Sequence, residues 1–280
     1  MSFVVTNDWL KEKMDEEENN IVIIDARASL TDEQEGKLLY RASHIPTAVH
    51  LDLAEDLAGE RKKHGGRNPL PEIDTFVEKI KSIGVSNDSE VVIYDQADGM
   101  FASRAWWLFH YVGHEHVYVL EGGYKAWMQK GYEITNEIED VVAGSFTPNI
   151  LADATANMED VKERAKADGT VLLDSRPRAR YLGEGDALDP KSGHIPGAKN
   201  YFWRNVLRED GTWKSKEELE EVFSDLDKDK EIIVSCGSGI SACPNILSLK
   251  MLGFEQVKLY PGSFSDWISY EDNVLETKEE

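Results

Sequence analysis

The residue best suited to chemistry is Cys236, which precedes the small-residue run Gly237-Ser238-Gly239-Ile240-Ser241 and then an apolar segment. Two glycines in so short a loop allow tight curvature and let backbone N–H groups turn inward. A loop of this kind that opens a helix binds anions, and the helix dipole adds to the effect. A thiol at its rim should exist largely as thiolate, and the same donors would hold a persulfide. Cys236 is therefore the predicted nucleophile; the alternative is a buried strand-end thiol beside an ordinary turn.

Charge and composition restrict the partners. The formal net charge is −22, from 53 acidic and 31 basic residues, and it repels nucleic acid and anionic membranes. No apolar run approaches the roughly 20 residues of a membrane-spanning helix. Because the first residues do not read as a secretion signal, we expect a cytoplasmic protein without nucleic-acid or membrane partners.

The chain contains two cysteines, Cys236 and Cys243, seven residues apart. They are too few for a disulfide framework, and their pattern does not match a zinc site. We therefore expect a reduced compartment, at least one functional thiol and no metal.

The two halves of the chain repeat four blocks in the same order, at offsets between 140 and 150 residues. The matched positions are Asp25 with Asp174, His44 with His194, Asp95 with Cys236, and Trp127 with Trp267. Such matching indicates an internal duplication. The pattern breaks after Gly131, which predicts one domain over residues 1–140 and a second over 151–280.

Within each half, short β-branched runs alternate with helical ones. The predicted strands are 91–94, 117–120, 232–235 and 257–260, and the predicted helices are 74–83, 101–112, 215–223 and 242–252. Continuously apolar strands are typical of parallel sheets that are covered on both faces. The sequence therefore predicts an α/β fold of two domains, each a parallel sheet flanked by helices. Only the second domain has a cysteine at the end of its central strand, where α/β sheets bind ligands.

These motifs resemble the tandem-domain rhodanese family, which includes thiosulfate and 3-mercaptopyruvate sulfurtransferases. The run from Cys236 to Ala242 is similar to Cys-Gly-Ser-Gly-Val-Thr-Ala of the mercaptopyruvate branch, and residues 171–176, 193–198 and 260–267 match other family signatures. The resemblance covers nearly the whole chain. It implies two rhodanese-like domains, of which the first lacks the catalytic cysteine, in agreement with Asp95.

The resemblance also implies a ping-pong reaction. The Cys236 thiolate would take the outer sulfur of a small anionic donor, release sulfite or pyruvate, and pass the sulfur from a persulfide to a thiol or cyanide. No metal or organic cofactor is implied.

Arg180 matches the arginine that holds the donor's anionic group in this family, and a guanidinium suits a carboxylate or a sulfonate-like end. The alternative is a surface arginine. The mercaptopyruvate branch tends to have a second arginine nine residues later, where this chain has Asp189, with Lys191 nearby. The thiosulfate enzymes carry basic residues inside the catalytic loop, and this loop has none. The loop therefore favours 3-mercaptopyruvate, whereas the missing second arginine weakens that choice, and the donor stays open between thiosulfate and 3-mercaptopyruvate with a slight preference for the latter.

The densest basic stretch, residues 61–67, contains two further candidates, His64 and Arg67. It would either reach over the Cys236 loop and attract anionic donors or form a solvated loop. His44 and His194 occur in both halves and are interpreted as structural, and Cys243 is interpreted as a core thiol.

Two other functions were compared with sulfur transfer. A cysteine phosphatase needs an arginine that closes the loop, and the segment from Cys236 to Cys243 contains none. A non-turnover relay that delivers persulfide sulfur to a protein partner would use the same cysteine, so the sequence does not separate it from an enzyme.

Overall fold

The structure is a computed structural model that describes residues 3–16, 20–164, 169–185 and 188–278. The chain forms two compact units. The first contains Met1–Gly59, Leu70–Leu151 and Glu209–Trp213, and the second contains Glu60–Pro69, Ala152–Arg208 and Lys214–Glu280. The basic segment 60–69, which lies inside the first sequence repeat, therefore folds as part of the second unit.

The first unit is a five-stranded parallel sheet with helices between its strands. In chain order its elements are β1 (Val4–Val5), α1 (Asn7–Met14), β2 (Ile21–Asp25), α2 (Glu35–Ala42), β3 (Val49–His50), α3 (Ile73–Ser82), β4 (Glu90–Tyr94), α4 (Met100–Tyr111), β5 (Val117–Leu120) and α5 (Gly123–Gln129). The strand order is β1-β5-β4-β2-β3, and every pair is parallel. Val92, Leu120 and Trp127 belong to a buried core on this sheet.

The second unit repeats this plan with four strands. Its elements are α6 (Met158–Arg164), β6 (Thr170–Asp174), α7 (Arg178–Tyr181), β7 (Lys199–Asn200), α8 (Lys216–Val222), β8 (Glu231–Ser235), α9 (Cys243–Met251), β9 (Val257–Leu259) and α10 (Ser263–Trp267). The strand order is β7-β6-β8-β9, again all parallel. An isolated parallel bridge between Thr155 and Leu259 lies where β1 pairs in the first unit.

The connections place a crevice at the same point of each sheet. From β6 the chain continues to β7 on one side, and from β8 it continues to β9 on the other. Ligands of open α/β sheets bind outside the carboxyl ends of the strands at such a reversal. Cys236 is the first residue after β8, so it lies at the reversal point of the second unit.

The predicted α/β fold is confirmed, and each predicted long strand and helix is present within about one residue of its expected ends. Local signals explain several helix ends: Ser215 and Glu218 form a capping box before α8, and Pro244 lies in the first turn of α9. The two-residue strands β1, β3 and β7 were not predicted, because two residues carry neither an apolar run nor an alternation.

An identical buried ion pair lies at the carboxyl end of β2 and of β6. Arg27 Nη2 lies 2.6 Å from Asp25 Oδ2, and Arg176 Nη2 lies 2.6 Å from Asp174 Oδ2. Each guanidinium also donates to a carbonyl of the His-Ile-Pro turn region, Ser43 O and Gly193 O respectively. Each arginine therefore has a structural role, because it joins the end of its strand to the following turn.

The matched histidines also have structural contacts. His44 Nδ1 donates to Tyr40 O at 2.8 Å, and His194 Nδ1 donates to Tyr181 O at 2.8 Å. Each imidazole is buried and stacks on the same tyrosine.

The loop after β4 begins with Asp95, the residue that matches Cys236 in the other repeat. The Asp95 carboxylate is buried and accepts backbone N–H groups from the four residues Ala97, Gly99, Phe101 and Ala102. Burial, followed by the charge of Asp98, raises the pKa of Asp95 to about 6, although the backbone donors oppose the shift. The first unit thus encloses a carboxyl group in a ring of amides.

Among the described residues, no helix combines the length and apolar character that crossing a bilayer requires.

The matched tryptophans provide a test of the core. Trp127 and Trp267 are 1% and 4% exposed, and each indole donates to a backbone carbonyl, Glu133 O and Val274 O. We expect Trp127→Ala and Trp267→Ala each to lower the free energy of unfolding by about 3–5 kcal/mol, measured by urea denaturation. Met128→Ala, at an exposed position beside Trp127, should change it by less than about 0.5 kcal/mol. A loss below about 1 kcal/mol at either tryptophan would show that it is not part of the core.

Asp95 predicts a pH dependence of stability. Its folded-state pKa of about 6 exceeds the ordinary 3.8, so the folded protein binds the extra proton between these values. Its favourable contribution is fully present below about pH 4 and is lost as the pH rises through about 6. Over that window the free energy of unfolding of the wild type should fall relative to Asp95→Asn by on the order of 2–3 kcal/mol. Denaturation curves recorded from pH 4 to 7 check this, and two parallel pH profiles would contradict it.

Candidate active site

Cys236 is held at its position by the start of α10. Its N–H donates to Ser263 Oγ at 3.0 Å, and its carbonyl accepts the N–H of Phe264 at 3.0 Å. Ser263 itself has a φ of +52°, a left-handed conformation that is strained for a residue other than glycine. A strained residue that anchors the nucleophile is typical of functional sites.

The sulfur receives a hydrogen bond from the loop that follows it. The N–H of Gly239 donates to Cys236 Sγ at 3.1 Å, and Ser263 Oγ lies 4.0 Å from the same atom. Gly239 has a φ of +80°, and a Cβ there would lie 2.3 Å from Pro261 O. Only glycine therefore allows this N–H to reach the sulfur.

The prediction that the thiol lies at the rim of the loop is wrong. Cys236 has no exposed surface, because the loop and the start of α10 enclose it. Of the other loop residues, Ser238 and Ile240 are also buried and Ser241 is half-buried. Cys243 is buried, and its thiol donates to Gly239 O at 3.4 Å, a contact that fits a core thiol.

Two guanidinium groups lie against Gly237, the residue next to Cys236. A Cβ on Gly237 would lie 3.0 Å from Arg67 Nη2 and 3.3 Å from Arg180 Nη2. Gly237 has no positive φ, so its role is to leave room for these side chains. The structure thus brings both predicted arginines to the loop that begins with Cys236.

A carboxylate bridges the two arginines. Arg67 Nη1 pairs with Asp189 Oδ1, and Arg180 Nη2 lies 2.7 Å from Asp189 Oδ2. The Asp189 side chain is fully buried, whereas Arg67 and Arg180 remain 30% and 19% exposed. Each arginine side chain therefore keeps part of its surface in contact with solvent.

Besides the Arg67–Asp189 pair, segment 60–69 makes hydrogen bonds to α10, to the residues after it and to the loop that follows Cys236. Gly65 N–H donates to Asp266 Oδ1, Arg67 N–H to Ser265 Oγ, and Asn68 Nδ2 to Ser238 Oγ, at 2.7, 3.0 and 2.8 Å respectively. His64 Nδ1 lies 2.7 Å from Ser269 Oγ, and its ring stacks on Tyr270. Of the two candidates in this segment, Arg67 therefore reaches the Cys236 loop, whereas His64 contacts the far end of α10.

Several residues of the site were not predicted as members of it: Asn68, Asp189, Ser263 and Ser265. Asp189 was noted only as the residue that replaces an expected arginine, and this replacement was the available signal. Ser263 and Ser265 lie in the 260–267 signature, which assigns no role to either serine, and Asn68 belongs to no motif.

Among the described residues, no group of three or more His, Cys, Asp or Glu side chains is placed to hold a metal ion.

Comparison with known proteins gives a consistent result. The family model of the rhodanese-like domain matches residues 6–130 and 157–270. A probable 3-mercaptopyruvate sulfurtransferase of Pseudomonas aeruginosa is 37% identical over 257 residues, which cover 90% of either chain. A thiosulfate sulfurtransferase of Rattus norvegicus is 32% identical over 94% of this chain and 91% of its own.

Among solved structures, the crystal structure of SseA from Escherichia coli, described as a 3-mercaptopyruvate sulfotransferase, superposes with a TM-score of 0.83. It is 34% identical to this chain, and the match covers 95% of this chain and 100% of that one. Two family matches along one chain, together with relatives similar over nearly their full length, show that this protein belongs to the rhodanese family.

Proposed function

We propose that the protein is a sulfurtransferase that carries one sulfur atom as a persulfide on Cys236. One observation carries the proposal: the N–H of Gly239 contacts Cys236 Sγ while Arg67 and Arg180 lie on the adjacent Gly237. A nucleophilic sulfur and a positively charged subsite thus lie side by side, as a small anionic sulfur donor requires.

With thiosulfate, the Cys236 thiolate attacks the outer sulfur, the S–S bond of the donor breaks, and sulfite leaves with the bonding electrons. With 3-mercaptopyruvate, the thiolate attacks the thiol sulfur and the C–S bond breaks. The electron pair goes to carbon, which takes the thiol proton and leaves as pyruvate. Either reaction leaves a Cys236 persulfide anion, which the hydrogen-bond donors of the loop stabilise.

In the second step, cyanide or a thiolate attacks the outer sulfur of the persulfide and restores the Cys236 thiolate. Cyanide leaves as thiocyanate, and a thiolate leaves as a new persulfide. Delivery to a protein partner would use the same step, so acceptor assays decide between an enzyme and a relay.

The two repeats have different roles in this proposal. The 151–280 repeat carries the nucleophile, and the 1–140 repeat holds Asp95 at the matched place. A carboxylate enclosed by four backbone donors has no sulfur to transfer, so the first repeat is non-catalytic.

A cytoplasmic location is part of the same proposal. It is supported by the two free cysteines, since a persulfide-forming thiol must stay reduced between turnovers.

The first test is substitution of the cysteines. Cys236→Ser should abolish sulfur transfer from both donors to cyanide, because no nucleophilic sulfur remains at the site. Cys243→Ser, the matched control, should retain most of the activity. Intact-mass spectrometry of the wild type after donor treatment should show an added mass of about 32 Da, one sulfur atom, that Cys236→Ser lacks. Activity that survives in Cys236→Ser and disappears in Cys243→Ser would reverse the assignment.

The second test concerns the anionic subsite. Arg180→Ala should raise the KM for thiosulfate or 3-mercaptopyruvate by roughly tenfold or more, since a hydrogen bond to a charged group is lost. The rate at which preformed persulfide reacts with cyanide should change less. Arg178→Ala removes an exposed guanidinium two residues away and serves as the matched control. Unchanged kinetics of Arg180→Ala with every anionic donor would refute the role of Arg180.

A further inference from the structure

We infer that Asp189 is an internal competitor of the sulfur donor, and that it sets the donor affinity by occupying the two arginines of the anionic subsite. The inference deepens the proposed function and rests on it for the identity of the donor. Its starting point is the bridge from the Asp189 carboxylate to Arg67 and Arg180 beside Gly237.

The chemistry of the bridge is that of the proposed donors. The two oxygens of Asp189 each accept from one guanidinium, an arrangement that the carboxylate of 3-mercaptopyruvate or two oxygens of thiosulfate would reproduce. An N–H group that donates to Asp189 cannot donate fully to a second anion at the same time. A donor therefore accepts hydrogen bonds from these N–H groups only when Asp189 releases them.

Burial supports an exchange rather than simultaneous binding. Asp189 is fully buried between the arginines, and Cys236 has no exposed surface in the same arrangement. A donor therefore reaches Sγ only after a neighbouring group moves. Asp189 lies outside any helix or strand, between α7 and β7, so it can leave the arginines without disruption of either element.

The charges point the same way. With Asp189 in place, the two guanidinium groups and the carboxylate carry one net positive charge next to Cys236. When Asp189 withdraws, two positive charges face the site, which strengthens the attraction for an anionic donor. Asp189 would thus lower the affinity of the site for every anion. Only anions that bind the two arginines strongly enough to displace Asp189 would then serve as donors.

The inference is tested with Asp189→Asn, which keeps the size of the side chain and removes its charge. We expect the KM for thiosulfate and for 3-mercaptopyruvate to fall on the order of tenfold, the effect of one charge-assisted hydrogen bond, with a smaller change in kcat. Glu184→Gln, which removes an exposed carboxylate between α7 and β7, should leave both constants unchanged. Asp189→Ala should lower the KM for both donors in the same way, and it is the variant to use if Asp189→Asn does not fold.

A second readout does not depend on sulfur transfer. Iodoacetate and iodoacetamide are similar in size and alkylate a thiolate with loss of iodide, but only iodoacetate is anionic. Peptide mapping gives the alkylation rate of Cys236 with each reagent, and the measured quantity is the rate with iodoacetate divided by the rate with iodoacetamide. Relative to the wild type, this ratio should rise on the order of tenfold in Asp189→Asn and stay constant in Glu184→Gln.

A KM that rises, or an alkylation ratio that does not change, would overturn the inference and leave Asp189 as a residue that only positions the arginines. If the wild type forms no persulfide with either donor, the proposed function fails, and the alkylation ratio still decides whether Asp189 competes with anions.

Discussion

The structure depends on one constraint: the side chain at the carboxyl end of the central strand must be met by backbone N–H donors. In the first unit that side chain is Asp95, whose carboxylate accepts four of them. In the second unit it is Cys236, whose sulfur accepts the N–H of Gly239. The same loop position thus holds a carboxylate in one unit and a thiol sulfur in the other, and both units keep the fold around these different side chains.

The surroundings of Cys236 keep this arrangement rigid. The Arg176 guanidinium pairs with Asp174 and lies 3.8 Å from the ring centre of Phe264, the residue whose N–H binds Cys236 O. The Arg176–Asp174 pair therefore connects the end of β6 to the start of α10, and α10 in turn holds Cys236 in place. Because these groups are buried and joined by hydrogen bonds and ring contacts, they preorganise the loop that begins with Cys236.

Much of the site could be predicted from the sequence because its signals are local. The β-branched runs and the order of the repeats predicted the sheets, and the small-residue loop after Cys236 predicted where the candidate nucleophile lies. The resemblance added Arg180. The pairing of Arg67 with Asp189 could not be predicted, since the two residues lie 122 positions apart and belong to different repeats.

The burial of Cys236 was missed for a related reason. The turn-forming pattern of residues 237–241 describes the loop itself, whereas Ser263 and Phe264 that cover the cysteine come from a distant helix. Likewise, the hydrogen bond from Asn68 to Ser238 joins residues 170 positions apart, and Asn68 belongs to no recognisable motif. A local sequence pattern predicts the backbone conformation of a segment, whereas contacts with residues distant in sequence determine how much of its side chains is exposed to solvent.

The assignment of segment 60–69 to the second unit has a consequence for truncation of the chain. The first repeat encodes Arg67 and Asn68, which contact the loop that begins with Cys236. A fragment of residues 151–280 alone would lack both contacts, so the second repeat is not a self-contained structural unit.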